Sequence, residues 1–164
     1  MKKILVISDT HGYIDDRILH YAKNSDEVWH AGDIGDFSVI DQLSSVSKIK
    51  AVFGNIDDHN IRKFCPEKNI FICDELKVYI VHIGGYPGSY NKKIKNELID
   101  IGPDIFISGH SHILKIQNDK KNNILHLNPG AAGKIGFHSV RTMIRFEINE
   151  KKINNLEVIQ LGKR

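Results

Sequence analysis

Segments that carry aspartate, histidine or asparagine follow five apolar runs of the chain, each at the point where a predicted strand ends. In open α/β sheets, sites are built at the edge formed by the carboxyl ends of the strands. The chain is therefore expected to fold so that several strands end at one edge and collect these polar side chains there. The segments are Asp9-Thr10-His11, Gly32-Asp33, Gly54-Asn55, His82 and Gly109-His110-Ser111-His112.

The first half of the sequence alternates strand and helix patterns. Short apolar runs bounded by polar turns predict strands, and amphipathic stretches between them predict helices. This βαβαβ order predicts a parallel sheet. The predicted elements are a strand at Lys3 to Ser8, a helix at Ile14 to Asn24, a strand at Glu27 to His30, a helix around Phe37 to Ser45 and a strand at Lys48 to Phe53.

After Pro66 the pattern changes to closely spaced strands, interrupted by one charged helix at Asn91 to Ile101. The polar turns at 118–123 and 149–152 are typical of hairpins, so the second half is expected to be largely antiparallel. The predicted strands are Asn69 to Cys73, Leu76 to His82, Asp104 to Ser108, Ile113 to Asn118, Ile124 to Leu127, Arg141 to Ile148 and Asn155 to Gln160. An α/β fold of two packed mixed β-sheets flanked by helices would bury all of them.

The composition fits one domain spanning residues 1–164, with 41% hydrophobic residues and a net charge of +3. The lysines are spread along the chain, which indicates a solvated surface and no dedicated nucleic-acid-binding region. Cys65 and Cys73 have no neighbouring ligand residue and are interpreted as reduced thiols. No segment has the apolar length of a secretion signal or a membrane span, so a cytoplasmic protein is expected.

The chemistry of the donor side chains indicates metal binding. Imidazoles, carboxylates and one amide carbonyl, with no thiolate, suit two divalent ions such as Mn²⁺, Fe²⁺, Zn²⁺ or Ni²⁺. Taken singly, the segments are ambiguous: a D-x-H triplet arises by chance, Asp33 can cap a helix, Asn55 can occupy a turn and His82 can be a buried core histidine. Their joint placement at predicted strand ends favours a two-metal site.

In this order the motifs D-x-H, G-D, G-N, H and G-H-x-H resemble the calcineurin-like metallophosphoesterase superfamily, and specifically its small single-domain phosphodiesterase branch. The resemblance runs from Met1 to about Gly133. It implies a β-sandwich flanked by helices, the α/β/β/α metallophosphoesterase sandwich, in which Asp33 bridges two metal ions. It implies that Asp9, His11 and His112 hold one ion and that Asn55, His82 and His110 hold the other.

Three positions depart from the family pattern. Ile56 stands where many members have a histidine that protonates the leaving oxygen, although Gly54-Asn55-Ile56-Asp57 fits the small phosphodiesterase branch. Gly85 replaces the second histidine of the family's His-Gly-His segment, and Ala131 replaces the serine of its Asn-Pro-Gly-Ser segment. Leaving-group assistance and substrate contacts are therefore expected to differ from those of such relatives.

The resemblance implies a metal-dependent phosphoric ester hydrolase, a phosphodiesterase acting on a small phosphorylated substrate. Two divalent ions, with Mn²⁺ expected and Ni²⁺, Fe²⁺ or Zn²⁺ as alternatives, would share a bridging water that attacks phosphorus in line. Asp9, Asp33 and Asn55 are the expected catalytic residues. A phosphomonoesterase of the same superfamily and a non-catalytic metal-binding scaffold are the alternatives, and a homo-oligomer is left open.

Three further histidines are candidate substrate contacts or proton donors. His59 follows Asn55 by four residues, and His138 lies after the Asn-Pro-Gly turn, from where it can reach the cleft. These two are the predicted substrate-binding residues, and His126 is the third candidate. For His59 an ordinary surface histidine is the alternative.

Overall fold

Two β-sheets of five strands each pack face to face in the computed structural model, which describes all 164 residues. The strands are β1 Lys2–Ile7, β2 Glu27–His30, β3 Lys48–Ala51, β4 Lys68–Cys73, β5 Leu76–Val81, β6 Ile105–Ile107, β7 Leu114–Asp119, β8 Ile124–Pro129, β9 Val140–Asn149 and β10 Lys152–Lys163. The helices are α1 Asp16–Lys23, α2 Phe37–Ser44, α3 His59–Phe64 and α4 Lys92–Ile101. This architecture confirms the predicted α/β class of two packed mixed sheets flanked by helices.

The first sheet has the strand order β10-β9-β1-β2-β3. Strands β1, β2 and β3 are parallel neighbours, as the βαβαβ pattern predicts, because α1 and α2 each carry the chain back to the start of the next strand. Strand β9 pairs antiparallel with β1, and β10 pairs antiparallel with β9 through the predicted hairpin. The carboxyl ends of β1, β2 and β3 therefore share one edge.

The second sheet has the order β4-β5-β6-β8-β7. Its outer pairs, β4 with β5 and β7 with β8, are the expected antiparallel hairpins. The prediction of a largely antiparallel second half is wrong for the centre, where β6 pairs parallel with both β5 and β8. Helix α4 connects β5 to β6 and reverses the chain between them, which a parallel pair requires. The carboxyl ends of these three strands also meet at one edge.

Side chains of β1 alternate between two of the three apolar cores. Leu5 and Ile7 pack towards α1, α2 and α3, whereas Ile4 and Val6 pack towards the second sheet. Successive strand side chains point to opposite faces, so a continuous apolar run fits a strand that is buried on both sides. A third core lies between α4 and the outer face of the second sheet. The layers are therefore helix, sheet, sheet and helix.

Helix α3 is absent from the elements that the sequence predicts. Its cap is Asp58, whose side chain accepts a hydrogen bond from the backbone N–H of Ile61, the one buried residue of this six-residue helix. A single apolar anchor is too short a pattern to indicate a helix. None of the four helices has the length and hydropathy needed to cross a membrane.

Candidate metal centre

The predicted ligands all meet where the strands of the two sheets end, in the loops that follow β1, β2, β3, β5 and β6. Two groups of three residues have ligand atoms within 4.8 Å of one another. The first cluster is Asp9, His11 and His112, and the second cluster is Asp33, His82 and His110. Asn55 adjoins the second cluster, with its Oδ1 3.1 Å from His82 Nε2. The structure thus brings together every residue of the predicted ligand set.

Asp9 presents a carboxylate oxygen without a donor in the interior of the protein. Its Oδ2 accepts hydrogen bonds from the Ser8 hydroxyl at 2.5 Å and from the backbone N–H of His110 at 3.1 Å. Its Oδ1 is buried and has no hydrogen-bond partner. That oxygen lies 3.1 Å from His112 Nε2 and 4.0 Å from His11 Nε2. Because a buried carboxylate oxygen is costly without a partner, the first cluster fits a cation.

Asp33 lies between the two clusters. Its Oδ1 is 3.2 Å from His82 Nε2, and its Oδ2 is 3.8 Å from His11 Nε2, so one oxygen faces each cluster. Burial opposes the charge on Asp33, but the hydrogen bond and charge of His82 and the N–H of Ile56 hold the pKa of this carboxyl below its usual range. The ionised carboxylate can therefore bind one cation with each oxygen.

His82 is oriented by the backbone. Its Nδ1 lies 2.8 Å from the Ala31 carbonyl oxygen, to which the Nδ1–H donates, so Nε2 is the ring nitrogen that faces Asp33 and Asn55. Such a backbone partner fixes the orientation of a metal-binding imidazole. Burial opposes a charge on His82, but the hydrogen bond to Asp33 and the charges of Asp9 and Asp33 raise its pKa. A cation at the second cluster would compete with a proton for His82 Nε2.

Five of the predicted ligands have left-handed backbone conformations. Their φ angles are 53° for Asp9, 48° for His11, 53° for Asp33, 68° for His110 and 58° for His112. Residues with a Cβ rarely adopt this region, and it persists where the surrounding structure enforces it. Here the backbone N–H groups of Asp9 and His11 donate to the carbonyls of Gly32 and Asp33, each at 3.0 Å. The strain is therefore held by contacts between loops.

Two glycines of the motifs are required by close approach. A Cβ at Gly54 would overlap the side chain and backbone of Asp33, and a Cβ at Gly109 would overlap the Ser8 hydroxyl. These glycines allow the loops after β3 and β6 to lie directly against the carboxylates. This close packing explains why a glycine precedes Asn55 and His110 in the sequence.

Two buried polar residues outside the predicted set fix the ligand-bearing loops. Asp57 accepts backbone N–H bonds from Ile34 at 3.1 Å and from Gly54 at 2.7 Å, which ties the loop after β2 to the loop after β3. Asn128 donates to the carbonyl of Gly109 at 3.0 Å. Both residues lie in motifs visible in the sequence, but a turn is the simplest interpretation of an Asn-Pro-Gly segment.

His138 lies behind the first cluster, against His112. Its Nε2–H donates to the Gly133 carbonyl at 2.9 Å, which leaves its Nδ1 to accept from His112 Nδ1–H at 3.2 Å. The lone pair of His112 Nε2 then faces Asp9. Burial lowers the pKa of His138, so the ring is neutral near pH 7. The substrate contact predicted for His138 stays a prediction. In the structure its ring contacts His112, a predicted metal ligand.

The other two candidate histidines lie apart from the clusters. His59 is the exposed first residue of α3 and forms no side-chain hydrogen bond, so its contact with substrate also stays a prediction. His126 is fully buried, with its Nε2 3.1 Å from the Ser108 hydroxyl. Burial lowers the pKa of His126 to about 4. It is a neutral core histidine that does not reach the site.

The fold and the two clusters define a class of protein: an α/β/β/α sandwich with two adjacent candidate cation sites of histidine, aspartate and asparagine donors. Residues 1–151 match the family model of the calcineurin-like phosphoesterase superfamily domain. The chain therefore belongs to the calcineurin-like phosphoesterase superfamily, as the motifs predict. Metallophosphoesterases use divalent metals, and the two clusters provide candidate ligands for them.

Three known proteins illustrate the similarity. A protein of Methanocaldococcus jannaschii named probable metallophosphoesterase is 36% identical over 134 residues, which cover 77% of this chain and 66% of that protein, just under two thirds of its length. The crystal structure of Vps29 from Entamoeba histolytica in complex with zinc has a TM-score of 0.75 at 19% identity, covering 97% of this chain and 98% of that chain. A predicted phosphoesterase of Streptococcus pneumoniae has a TM-score of 0.71 at 22% identity, covering 97% and 89%. At these identities the two structures share the fold.

Proposed function

We propose that this protein is a phosphodiesterase that hydrolyses a small phosphodiester with two divalent cations, one at each cluster. The position of Asp33 carries this proposal. Its Oδ1 lies 3.2 Å from His82 Nε2, and its Oδ2 lies 3.8 Å from His11 Nε2. A single ionised carboxylate placed in this way can join two cation sites. Asp9, His11 and His112 would hold one ion, and Asn55, His82 and His110 would hold the other, with Asp33 shared.

When bound, two divalent ions supply Lewis-acid chemistry, since they acidify water and neutralise charge on phosphoryl oxygens. The protein contributes fixed positions for the groups around them. Asp33 sets the spacing of the clusters, and Asp9 is oriented by Ser8. Asn55 adds a neutral carbonyl to a site that is already rich in negative charge, and Arg62 Nη2 donates to its backbone oxygen at 3.3 Å.

The position after Asn55 supports a diester with a good leaving group. Ile56 stands there and is 48% exposed, so this point of the site offers no proton donor to a leaving oxygen. A substrate whose alcohol leaves without protonation suits such a site. We expect Mn²⁺ to be the metal. One assay tests both the choice of metal and the alternative of a phosphomonoester substrate.

We also place this activity in the cytoplasm, as the sequence predicts. Cys65 and Cys73 are both free and buried, in keeping with a reducing compartment. Burial raises the pKa of both thiols, that of Cys65 to about 12, so neither is activated for disulfide exchange.

The test is hydrolysis of bis(p-nitrophenyl) phosphate and p-nitrophenyl phosphate by metal-stripped protein, with and without Mn²⁺. We expect metal-dependent turnover of the diester that falls at least about a hundredfold in Asp33→Asn. The matched control is Asp36→Asn, because Asp36 caps α2 and asparagine caps equally well. Faster turnover of the monoester would replace the phosphodiesterase by a phosphomonoesterase.

A metal-binding interaction module is the second candidate function. The observation that favours it is the exposure of three isoleucines that each directly follow a predicted ligand: Ile56 is exposed by 48%, Ile83 by 50% and Ile113 by 60%. An apolar rim of this kind suits a protein surface. If neither ester is hydrolysed with Mn²⁺, Ni²⁺, Fe²⁺ or Zn²⁺ while metal still binds, this candidate replaces the enzyme.

A further inference from the structure

A cavity of about 400 Å³ adjoins the second cluster, and the predicted ligands Asn55 and His82 form part of its wall. This volume is typical of sites that enclose a small organic group. The remaining wall comes from the loop after β3 and from α3, β4, β5 and α4 with their adjoining residues, and its apolar side chains include Phe53, Val81 and Ile83. A phosphate held at the second cluster would have the cavity directly beside it.

Two lysines of the cavity wall are each paired with a carboxylate. Lys68 pairs with Glu97 at 3.2 Å, and Lys93 pairs with Glu67 at 3.3 Å. The hydroxyl of Tyr79 also donates to Glu97. Because both lysines have a carboxylate partner, the wall does not present the group of free cations that a second phosphate would need. The cavity therefore favours a substituent that carries no second phosphate.

Arg62 provides a flat surface at the cavity wall. Its guanidinium lies 4.5 Å from the centre of the Phe53 ring. Its Nε donates to the carbonyl of Asp57 at 2.7 Å, and its Nη2 donates to that of Asn55 at 3.3 Å. These bonds hold the guanidinium in place. It has no carboxylate partner. A fixed guanidinium plane stacks favourably on aromatic rings.

We propose that this cavity, which we call the aryl pocket, binds a flat aromatic group attached to the substrate phosphate. The proposal rests on the proposed function for the position of the phosphate and adds the substrate class: an ester of an aryl alcohol, or a nucleoside ester whose second alcohol is the good leaving group. The ring lies among Phe53, Val81 and Ile83, with Arg62 beside it. An alkyl ester of the same charge fills the pocket less well.

The test compares phosphonates, because their carbon–phosphorus bond prevents hydrolysis and only the substituent differs. Dissociation constants of ethylphosphonate, phenylphosphonate and the 5′-phosphonate of 5′-deoxythymidine are measured by calorimetry on the Mn²⁺-loaded protein. We expect at least one ring-bearing probe to bind about tenfold more tightly than ethylphosphonate. The probe with the larger preference distinguishes an aryl alcohol from a nucleoside.

A matched pair of variants assigns this preference to the pocket. Ile83 and Ile113 are both exposed isoleucines that follow a histidine of the site, but only Ile83 lines the cavity. We expect Ile83→Ala to reduce the ring preference to about threefold or less, and Ile113→Ala to leave it unchanged. Equal binding of the ring-bearing and ethyl probes, no binding of any probe, or an equal loss in both variants would overturn the aryl pocket.

Turnover of bis(p-nitrophenyl) phosphate, measured on the same preparations, reports on the proposed function separately. Metal-dependent turnover without a ring preference removes the aryl pocket and leaves the phosphodiesterase. A ring preference that depends on Ile83 in a protein without turnover removes the phosphodiesterase and leaves the pocket.

Discussion

The two clusters have similar donors but differ in how far the protein encloses them. In the first cluster Asp9 is fully buried, and His138 supports His112 from behind. In the second cluster His110 is exposed, as is the adjoining Asn55, and a cavity lined in part by Asn55 and His82 lies beside the cluster. From this difference we infer a division of work: the first cluster would retain a cation, and the second would be open to exchange and to substrate.

Backbone strain distinguishes both clusters from the rest of the fold. Elsewhere, left-handed residues other than glycine lie at polar turns and at a bulge: Asp74 and Glu75, Asn123, Glu150 and Lys151, and Asn155. There the local sequence accounts for the conformation. At the clusters, hydrogen bonds between separate loops enforce it, so the protein alone positions the predicted ligands.

The largest effect is expected from removing one histidine of each cluster in turn. His112→Ala and His110→Ala remove left-handed histidines two residues apart, and each should lower diester turnover by about a hundredfold or more. His110→Ala leaves the enclosed first cluster intact, and His112→Ala leaves the second cluster intact. Calorimetry should find that Mn²⁺ binds more tightly to His110→Ala than to His112→Ala. The reverse order would contradict the division of work.

A smaller effect is expected from His138→Ala, which removes the partner of His112 Nδ1. Second partners of metal-binding histidines contribute about tenfold or more in metal affinity. We expect a loss of this size at the first cluster and none at the second, measured by Mn²⁺ titration.

The control for this variant is His59→Ala, at an exposed position away from both clusters. Metal affinity should not change in this variant. A rise in KM without a change in metal affinity would confirm the predicted substrate contact of whichever histidine shows it.

Features that depend on the local sequence could be predicted, whereas features that depend on contacts between distant residues could not. Strand ends and the residues that follow them are local, so the position of Asp33 or His82 is predictable from apolar runs and turns. The support of His112 by His138 joins residues 26 positions apart, and no local pattern indicates it. The parallel pairing of β6 is likewise beyond local patterns, because periodicity identifies a strand without identifying its neighbours.

The smallest expected effect concerns the pH dependence of the unfolding free energy, to which the buried histidines of the core contribute. Burial lowers the pKa of His126 from 6.5 to about 4, so the unfolded chain binds a proton there that the folded protein does not. Its stabilising contribution is therefore fully present above pH 6.5 and is lost as the pH falls towards about 4. His30 behaves in the same way, with a pKa of about 4.

Urea unfolding of the chelator-treated protein between pH 7 and pH 4.5 measures this dependence. His126→Gln should reduce the slope of the unfolding free energy by up to about 1.4 kcal/mol per pH unit. An unchanged slope would mean that His126 is protonated or accessible in the folded protein.

Asp33 is proposed to join two cation sites, and anomalous diffraction from crystals grown with Mn²⁺ tests this claim. We predict two anomalous peaks, one among Asp9, His11 and His112 and one among Asn55, His82 and His110, with an oxygen of Asp33 beside each. A single peak, or two peaks of which one has no contact with Asp33, would contradict the claim.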